Sequence, residues 1–477
     1  MADTEPYDFA VIGGGSGGYA GARMAASMGL RTAVIDGAEE LGGLCILRGC
    51  MPSKTLIESA NMNLAIRHAG KFGLYAHVGA PDIKFIRDRK RRLIGEFASY
   101  RQEQLQDRRF DLVRGCAQIE KADAAGLQLH VTLRDGGATQ LAARSVLIAT
   151  GSVISVPDLP GLAECGFWTS DDVLDAENIP RSVIVLGGGA IALEMAHYLE
   201  GIGRQVTILQ RNTQFLTGTD ADVAMVVQRV FEKRGMAVHC GTKLLRVERN
   251  GPHKRVVFKQ GGTDRIADGD EILVALGRRP ASGGLGLEKI GVRTSKAGHI
   301  ETAATQQSSV SRVFAAGDVC GPLEVVHLAI QQGEVAARNA AALLGGNQLS
   351  NHMDYRCKLF GVFTQPEVAS VGLSEVEARA QGINFTVASY PFNDHGKSIV
   401  LNELDGFVKL LAHAESGIIL GGAVVGPHAT ELIHEIAVAM HLKATAADLA
   451  SAPHYHPTLS EIWCYPAEQL AELIKNY

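Results

Sequence analysis

Residues 7–36 read YDFAVIGGGSGGYAGARMAASMGLRTAVID. A short apolar run, Tyr7 to Ile12, leads into a glycine turn. An alanine-rich segment from about Gly18 to Met28 has helical composition, and a second apolar run closes at Asp36. Strand, turn, helix and strand in that order make a βαβ unit. Gly13, Gly15 and Gly18 fit G-x-G-x-x-G at the junction of strand and helix. A tight turn, close approach of the backbone to a pyrophosphate, and close helix–strand packing each favour a residue without a Cβ there. Asp36 stands where a carboxylate bonds a ribose diol. The stretch predicts a dinucleotide site; the alternative is a glycine-rich turn with no ligand.

A similar unit recurs at residues 182–211, SVIVLGGGAIALEMAHYLEGIGRQVTILQR. The chain therefore carries an internal repeat of one mononucleotide-binding half. Gly187 and Gly189 are followed by Ala192 in the third position, an accepted variant. Gln210 and Arg211 stand where an acid would mark NAD, and a neutral residue followed by a cation suits a 2′-phosphate. NADP(H) is therefore favoured over NAD(H), with Arg211 as a plain surface residue the alternative. Two dinucleotide sites imply two dinucleotides, and a flavin with a nicotinamide is the natural pair for hydride transfer. SVLIATG (145–151), ILVALG (272–277) and VFAAGD (313–318) each read as a buried strand running into a turn. Thr150, Gly151 and Gly277 at those ends join the candidate cofactor residues, and Asp318 is placed to bond a polyol chain.

Working outward, 477 residues exceed one hydrophobic core, so two to four domains are expected. Hydrophobic residues make up 46%, which suits a packed globular protein, and the 54 glycines are dispersed rather than clustered in a disordered tract. A net charge of -5 excludes general nucleic-acid binding, which needs a basic surface. The first residues show no basic region followed by an apolar core, and runs such as GIILGGAVVG fall short of a membrane span. The expectation is a cytoplasmic protein with no membrane or nucleic-acid partner. Helical stretches are expected at about 52–70 and 84–108, with the basic run IRDRKRRL (86–93) as a solvated helix face. After about residue 350 the pattern changes to antiparallel strands followed by helices, an α+β arrangement.

The stretch GGLCILRGCMPSK (42–54) holds two of the eight cysteines, Cys45 and Cys50, separated by four residues. The other six are scattered and read as small buried hydrophobes. In an ideal helix, residues five positions apart have Cα atoms roughly 8–9 Å apart. A disulfide needs less than about 7 Å. If the two pair, the backbone bends between them, and Gly49 permits it. A strained, accessible bridge is the labile, catalytic kind. Arg48 and a helix N-terminus nearby would favour thiolate. Zinc, with HYH (454–456) as further ligands, is the competing reading, but the spacing is not that of a zinc knuckle and no second pair follows, so no metal is expected.

Taken together, GGLCILRGCMPSK, the two glycine loops, LIATG, FAAGD, FTQPEVASVGLSEVEA and HYHPTLSE resemble the class I flavoprotein pyridine nucleotide-disulfide oxidoreductases, the group of dihydrolipoyl dehydrogenase, glutathione reductase and mercuric reductase. The resemblance covers essentially the whole chain. It implies an α/β protein with two Rossmann-like domains and a C-terminal α+β dimerisation domain: FAD-binding at 1–155, NAD(P)-binding at 156–283, a central segment at 284–350 completing the FAD domain, and an interface domain at 351–477. It implies FAD with Gly43 beside it, and a homodimer whose active site is shared. By the same resemblance Cys50 is the thiol next to the flavin, Cys45 the interchange thiol, Lys54 and Glu194 an ion pair by the flavin, His456 the acid/base and Glu461 its orienting carboxylate. An imidazole suits both directions of proton transfer near neutral pH. The implied activity is transfer of electrons between nicotinamide, FAD and a Cys45–Cys50 disulfide. It is most like dihydrolipoyl dehydrogenase, acting on a lipoyl group, free or on a carrier protein, or on a small thiol or disulfide. An NADPH-dependent glutathione-type reductase, a mercuric reductase-like enzyme and a non-catalytic flavoprotein are the alternatives. Leu44, Ile46, Leu47 and Arg48 depart from the family's usual residues beside the cysteines.

Overall fold

The computed structural model describes residues 5–77 and 79–475. The chain forms two compact units, each assembled from three separate segments. One comprises the chain up to Pro52 with Asp88–Ser155 and Arg278–Asp354; the other comprises Ser53–Arg87, Val156–Gly277 and the chain from Tyr355 on.

In the first unit, strand Tyr7–Ile12 lies between Thr32–Ile35 and Ala138–Ile148, parallel to both. Asp111–Val113 extends the parallel edge beyond Thr32–Ile35. Val313–Ala315 joins the far end of Ala138–Ile148, also in parallel. The near end of that long strand turns into an antiparallel meander with Gly126–Leu133 and Gly115–Asp123. Strand alternation divides the core. Phe9, Val11, Val34, Leu147 and Phe314 face one side with Tyr19, Ala22 and Ala25, while Ala10, Ile12, Ile35, Val146 and Ile148 face the other with Ile119, Leu129 and Val131. Helix Ser16–Ser27 ends at Gly29 in the left-handed region, with Leu30 N–H bonded to Ala25 O at 3.1 Å, a terminus that glycine adopts without strain. The same helix lies unusually close to helix Val326–Leu344: a Cβ on Gly333 would stand 2.1 Å from Gly17 O.

In the second unit, four parallel strands run in the order Ala237–Cys240, Gln205–Gln210, Ser182–Leu186, Glu271–Val274. Helix Ala190–Gly201 follows the glycine turn, and its end repeats the motif of the first copy, with Arg204 N–H on Leu199 O at 2.9 Å past Gly203. A three-stranded antiparallel sheet, Thr242–Asn250, His253–Gln260 and Thr263–Gly269, stands beside it. From residue 359 on, five antiparallel strands form a further sheet, on which helices Ala429–His441 and Cys464–Lys475 bury Ile433, Ile436 and Leu470, with Trp463 from the turn Ser460–Trp463 beside them. The α/β class and the α+β style of the last segment are as the pattern predicts.

The basic run behaves differently from expectation. It lies on helix Ile83–Gln106 with Arg91 and Arg92 in solvent, but Arg87 and Lys90 are each only 5% exposed. Arg87 is paired with Glu177, so that side of the run is an inward-facing charged row rather than a solvated one.

Candidate active site

The first glycine loop opens a cleft in its unit. Gly13 turns at φ +103°, and a Cβ there would lie 2.4 Å from Ala149 O. Gly15 is the cap of helix Ser16–Ser27, and no side chain occupies the helix's free N–H groups. Gly18 does not line the cleft; a Cβ on it would fall 1.8 Å from Gly13 O, so its part is the close packing of helix on loop. Asp36 follows the second strand directly. Its Oδ2 accepts the Gly14 N–H at 2.7 Å and its Oδ1 the Ala38 N–H at 2.8 Å. A cavity of about 660 Å³ runs from here past Gly43, Cys45, Cys50, Thr150 and Gly151 to Asp318. Gly43 lies so close against the loop that a Cβ on it would sit 2.6 Å from Gly15 Cα.

Asp318 is held by residues the sequence did not single out. Ser152 Oγ donates to its Oδ2 at 2.6 Å, and Arg278 Nε donates to that Ser152 Oγ at 2.7 Å. Gln332, fully buried, accepts the Gly317 N–H at 2.7 Å and so fixes the turn that presents Asp318. Glu324 also lines the cavity; burial, and then the Asp318 charge, push its carboxyl up. An anion-binding helix start, a carboxylate just past the second strand and another at the far end of the cavity fit a dinucleotide with a polyol arm. The residues present therefore fit FAD.

The cysteine stretch bends as its spacing demands. A single helical turn, Leu44–Leu47, stops at Arg48, and a new helix, Cys50–His68, starts after Gly49. Pro52 falls in the first turn of that helix, where its missing N–H has no partner to lose. Gly49 sits where a Cβ would stand 2.9 Å from Leu44 O and 3.2 Å from Cys45 Cα. The chain thus doubles back closely between the two cysteines, and both reach the cavity wall, Cys45 half-buried and Cys50 exposed. Arg48 is exposed. The cation the sequence reading missed is Arg101, whose guanidinium lies 4.1 Å from the centre of the Tyr19 ring. Burial pushes its pKa down, and Tyr19 and Cys45 oppose that shift. Its Nε and Nη1 are buried without a hydrogen-bond partner. Cys116, expected in the core, is exposed on the cavity wall, whereas Cys165 is buried as expected.

In the second unit the glycine loop is built alike. A Cβ on Gly187 would stand 2.2 Å from Ala275 O, while Gly189 and Gly277 have open space at that position. Gln210 is 7% exposed and its amide is turned inward: Nε2 donates to Gln214 O at 3.1 Å and Oε1 accepts the Arg211 N–H at 3.0 Å. It packs against Gly188 as Asp36 packs against Gly14, with no carboxylate, and Arg211 beside it is exposed.

Lys54, one turn beyond Cys50 on the same helix, donates to Glu194 Oε1 at 2.9 Å and Oε2 at 2.8 Å. Glu194 is 4% exposed and also accepts the Phe363 N–H at 3.1 Å, and Lys54 Nζ stands 4.6 Å from the centre of the Phe363 ring. His456 Nδ1 is 3.0 Å from Glu461 Oε2. A carboxylate accepts only, so Nδ1 carries a proton and donates it, which leaves Nε2 as the outward nitrogen of a largely exposed ring. His454 goes elsewhere, to Glu435 at 2.6 Å, with Cys464 Sγ 3.1 Å from its Nδ1. The HYH histidines therefore do not share a ligand position.

Two glycine-loop nucleotide folds, a cysteine pair in the wall of the first cleft and a C-terminal antiparallel sheet define a class: proteins that pass electrons between nucleotide cofactors and thiols. The sequence matches the pyridine nucleotide-disulphide oxidoreductase family over residues 7–333 and that family's dimerisation domain over residues 360–465, and the chain belongs to this family. It is 36% identical to a dihydrolipoyl dehydrogenase of Thermus scotoductus, covering 97% of both chains, and 33% identical to that of Chlamydia muridarum, again covering 97% of both. Its fold superposes on the crystal structure of LpdA from Mycobacterium tuberculosis with a TM-score of 0.86 at 27% identity, over 97% of this chain and 99% of that one. Membership makes the protein an enzyme, a flavin- and pyridine nucleotide-dependent disulfide oxidoreductase with a dimerisation domain. Among the described residues no helix is long and apolar enough to cross a membrane.

Proposed function

We propose that the protein is a dihydrolipoyl dehydrogenase-like enzyme, a cytoplasmic homodimer that exchanges electrons between a lipoyl dithiol and NADP(H) through FAD. In this reading the chain divides into FAD-binding (1–155), NAD(P)-binding (156–283), central (284–350) and interface (351–477) domains. The observation that carries it is the Cys45–Gly49–Cys50 bend in the wall of a cavity that begins at the Gly13 loop. The full-length likeness to named dihydrolipoyl dehydrogenases supports the lipoyl substrate.

FAD, when bound, would supply a two-electron relay between the nicotinamide and the cysteine pair. The protein's own residues do the rest. Gly13, Gly15 and the helix N–H groups would hold its pyrophosphate, Asp36 a ribose, and Asp318 the polyol. His456 Nε2 takes a proton from one substrate thiol, and the Glu461 carboxylate steadies the resulting imidazolium. The substrate thiolate attacks Cys45 Sγ of a Cys45–Cys50 bridge; a mixed disulfide forms and Cys50 leaves as thiolate. The second substrate thiol then attacks the substrate sulfur of that mixed disulfide; His456 hands its proton to the departing Cys45 and takes up the proton of the attacking thiol. The substrate leaves as its disulfide, two electrons and two protons poorer, and the cysteine pair is left reduced. Lys54, held by Glu194, supplies positive charge one turn from the Cys50 thiolate. His456 and Glu461 serve the cysteines of the other protomer. NADP(H) is supported by the inward amide of Gln210 and the exposed Arg211.

The test is anaerobic turnover of dihydrolipoamide with NADP⁺ and with NAD⁺, for the wild type and for Cys50→Ser. Loss of dithiol turnover in Cys50→Ser with retained yellow cofactor is expected. A Cys50→Ser enzyme that still oxidises dihydrolipoamide at the wild-type rate refutes the reading.

A further inference from the structure

We propose that His395 is a positioning residue for the His456–Glu461 pair, holding one oxygen of Glu461 so that the other stays on His456; this rests on the reading of His456 as the acid/base. Glu461 is 8% exposed and is approached by two histidines from opposite oxygens. Oε2 meets His456 Nδ1 at 3.0 Å. Oε1 faces His395 Nε2 at 3.4 Å, an ion-pair distance short of a well-aligned hydrogen bond. Hydrogen bonds of catalytic groups are commonly long without substrate and tighten in the reacting complex.

The direction of each proton follows from the partners. His395 is wholly buried, and burial pushes its pKa down against the opposing charge of Glu461, so the ring is neutral. Ser398 Oγ lies 2.9 Å from its Nδ1 and has a proton to give. Nδ1 then accepts, which leaves the single ring proton on Nε2, the nitrogen 3.4 Å from Glu461 Oε1. Donation runs from Ser398 to His395 and on towards Glu461 Oε1, and separately from the Nδ1–H of His456 to Glu461 Oε2. His456 Nε2 is thereby left as the basic atom. The ring of Tyr465, edge-on to His395 at 6.4 Å, and Tyr390, stacked on Tyr465 at 4.0 Å and bonded through its hydroxyl to Asp394, close the other sides. Nothing in the disulfide chemistry itself calls for a second histidine. Its effect is to keep the buried carboxylate from turning away when His456 is neutral and holds it least.

The experiment compares His395→Phe, which lacks a ring N–H, with His395→Gln, whose amide N–H replaces it, in the FAD-loaded dimer. Dihydrolipoamide turnover is measured together with the ¹⁵N signature of the neutral His456 ring, assigned by its loss in His456→Gln. In His395→Phe kcat is expected to fall roughly tenfold, part of the factor a general base supplies, with KM little changed. The His456 ring is expected to shift from the Nδ1–H form towards the Nε2–H form. His395→Gln should restore both. Wild-type turnover in His395→Phe overturns the proposal, and so does equal loss in both variants with an unchanged His456 signature, which would mean packing alone. A His456→Gln enzyme with full turnover would instead refute the acid/base reading and, with it, any role for His395 in positioning that base.

Discussion

Gly49 is the residue on which the redox pair's geometry turns, and Gly49→Ala is the sharpest probe of it. The new methyl would stand 2.9 Å from Leu44 O and 3.2 Å from Cys45 Cα, where ordinary contact begins at 3.4 Å. Both opposing atoms are backbone, so neither can rotate out of the way. Relief requires the turn Leu44–Leu47 and the start of helix Cys50–His68 to part by several tenths of an ångström. Overpacking of this kind costs about 1–3 kcal/mol. Removing a glycine from the unfolded chain offsets about 0.4–1 kcal/mol of that. The net stability loss, on the order of 1–2 kcal/mol, is small for a chain of this length, so the variant should fold. Turnover should suffer more, because a misplacement of about 1 Å at reacting atoms costs up to ~10²-fold. Half that displacement at the sulfurs predicts a roughly tenfold fall in dihydrolipoamide oxidation. Reduction of an artificial dye by NAD(P)H, which needs no sulfur, should fall far less. Anaerobic stopped-flow mixing with each substrate separates the two. A Gly49→Ala enzyme that oxidises dihydrolipoamide as fast as the wild type would show that the close passage between the cysteines has no bearing on their reaction.

Other outcomes follow from single contacts. Arg211→Ala should raise KM for NADPH about tenfold or more, the worth of one charge-assisted hydrogen bond, and leave NADH untouched; equal effects on both coenzymes would remove Arg211 from the phosphate site. The Lys409 side chain is 3% exposed among Asp220, Asp222 and Glu375, so Lys409→Met strands the buried Asp220 carboxylate and should cost about 3 kcal/mol, seen as a Tm lower by several degrees. Burial pulls the Glu375 carboxyl up, but hydrogen bonds and charge from Lys409 and Arg379 outweigh it and set it below 4.5. Its contribution is therefore complete above that pH and fades as pH falls through the lower folded value; Lys409→Met should flatten this acid limb in Tm-versus-pH curves. Lys54→Met should lower both Tm and dihydrolipoamide turnover, since the buried Glu194 carboxylate loses its cation and keeps the Phe363 N–H as donor; recovery of Tm but not turnover in Lys54→Met/Glu194→Met would separate the two effects.

Much of this was legible in the sequence because local constraints left few choices. The glycine loops could be read residue by residue: Gly13 and Gly187 each meet a backbone carbonyl that no Cβ could clear. The bend at Gly49 followed from helix geometry once Cys45 and Cys50 were taken as a pair. The Lys54–Glu194 pair, spanning 140 positions, came only from family resemblance, since no local pattern links a helix start to a residue so distant. The inward turn of Arg87 and Lys90 escaped because a run of mixed charge looks the same whether its side chains reach water or are covered by the rest of the fold. Arg101, Ser152, Gln332 and His395 escaped for a related reason: each acts through a partner at a different place in the chain, and periodicity records only which face a residue is on. The scattered cysteines were misjudged where a strand borders the cleft, as at Cys116, whose exposure comes from the cavity it lines.

The interleaving of three segments in each unit has a consequence for biogenesis. Strand Val313–Ala315 supplies a neighbour to Ala138–Ile148, so the first unit cannot close its sheet until more than three hundred residues have left the ribosome. The nascent chain must hold an unfinished strand edge throughout synthesis of the second glycine-loop fold. Neither half of this enzyme can be cut out at a single boundary and expressed on its own.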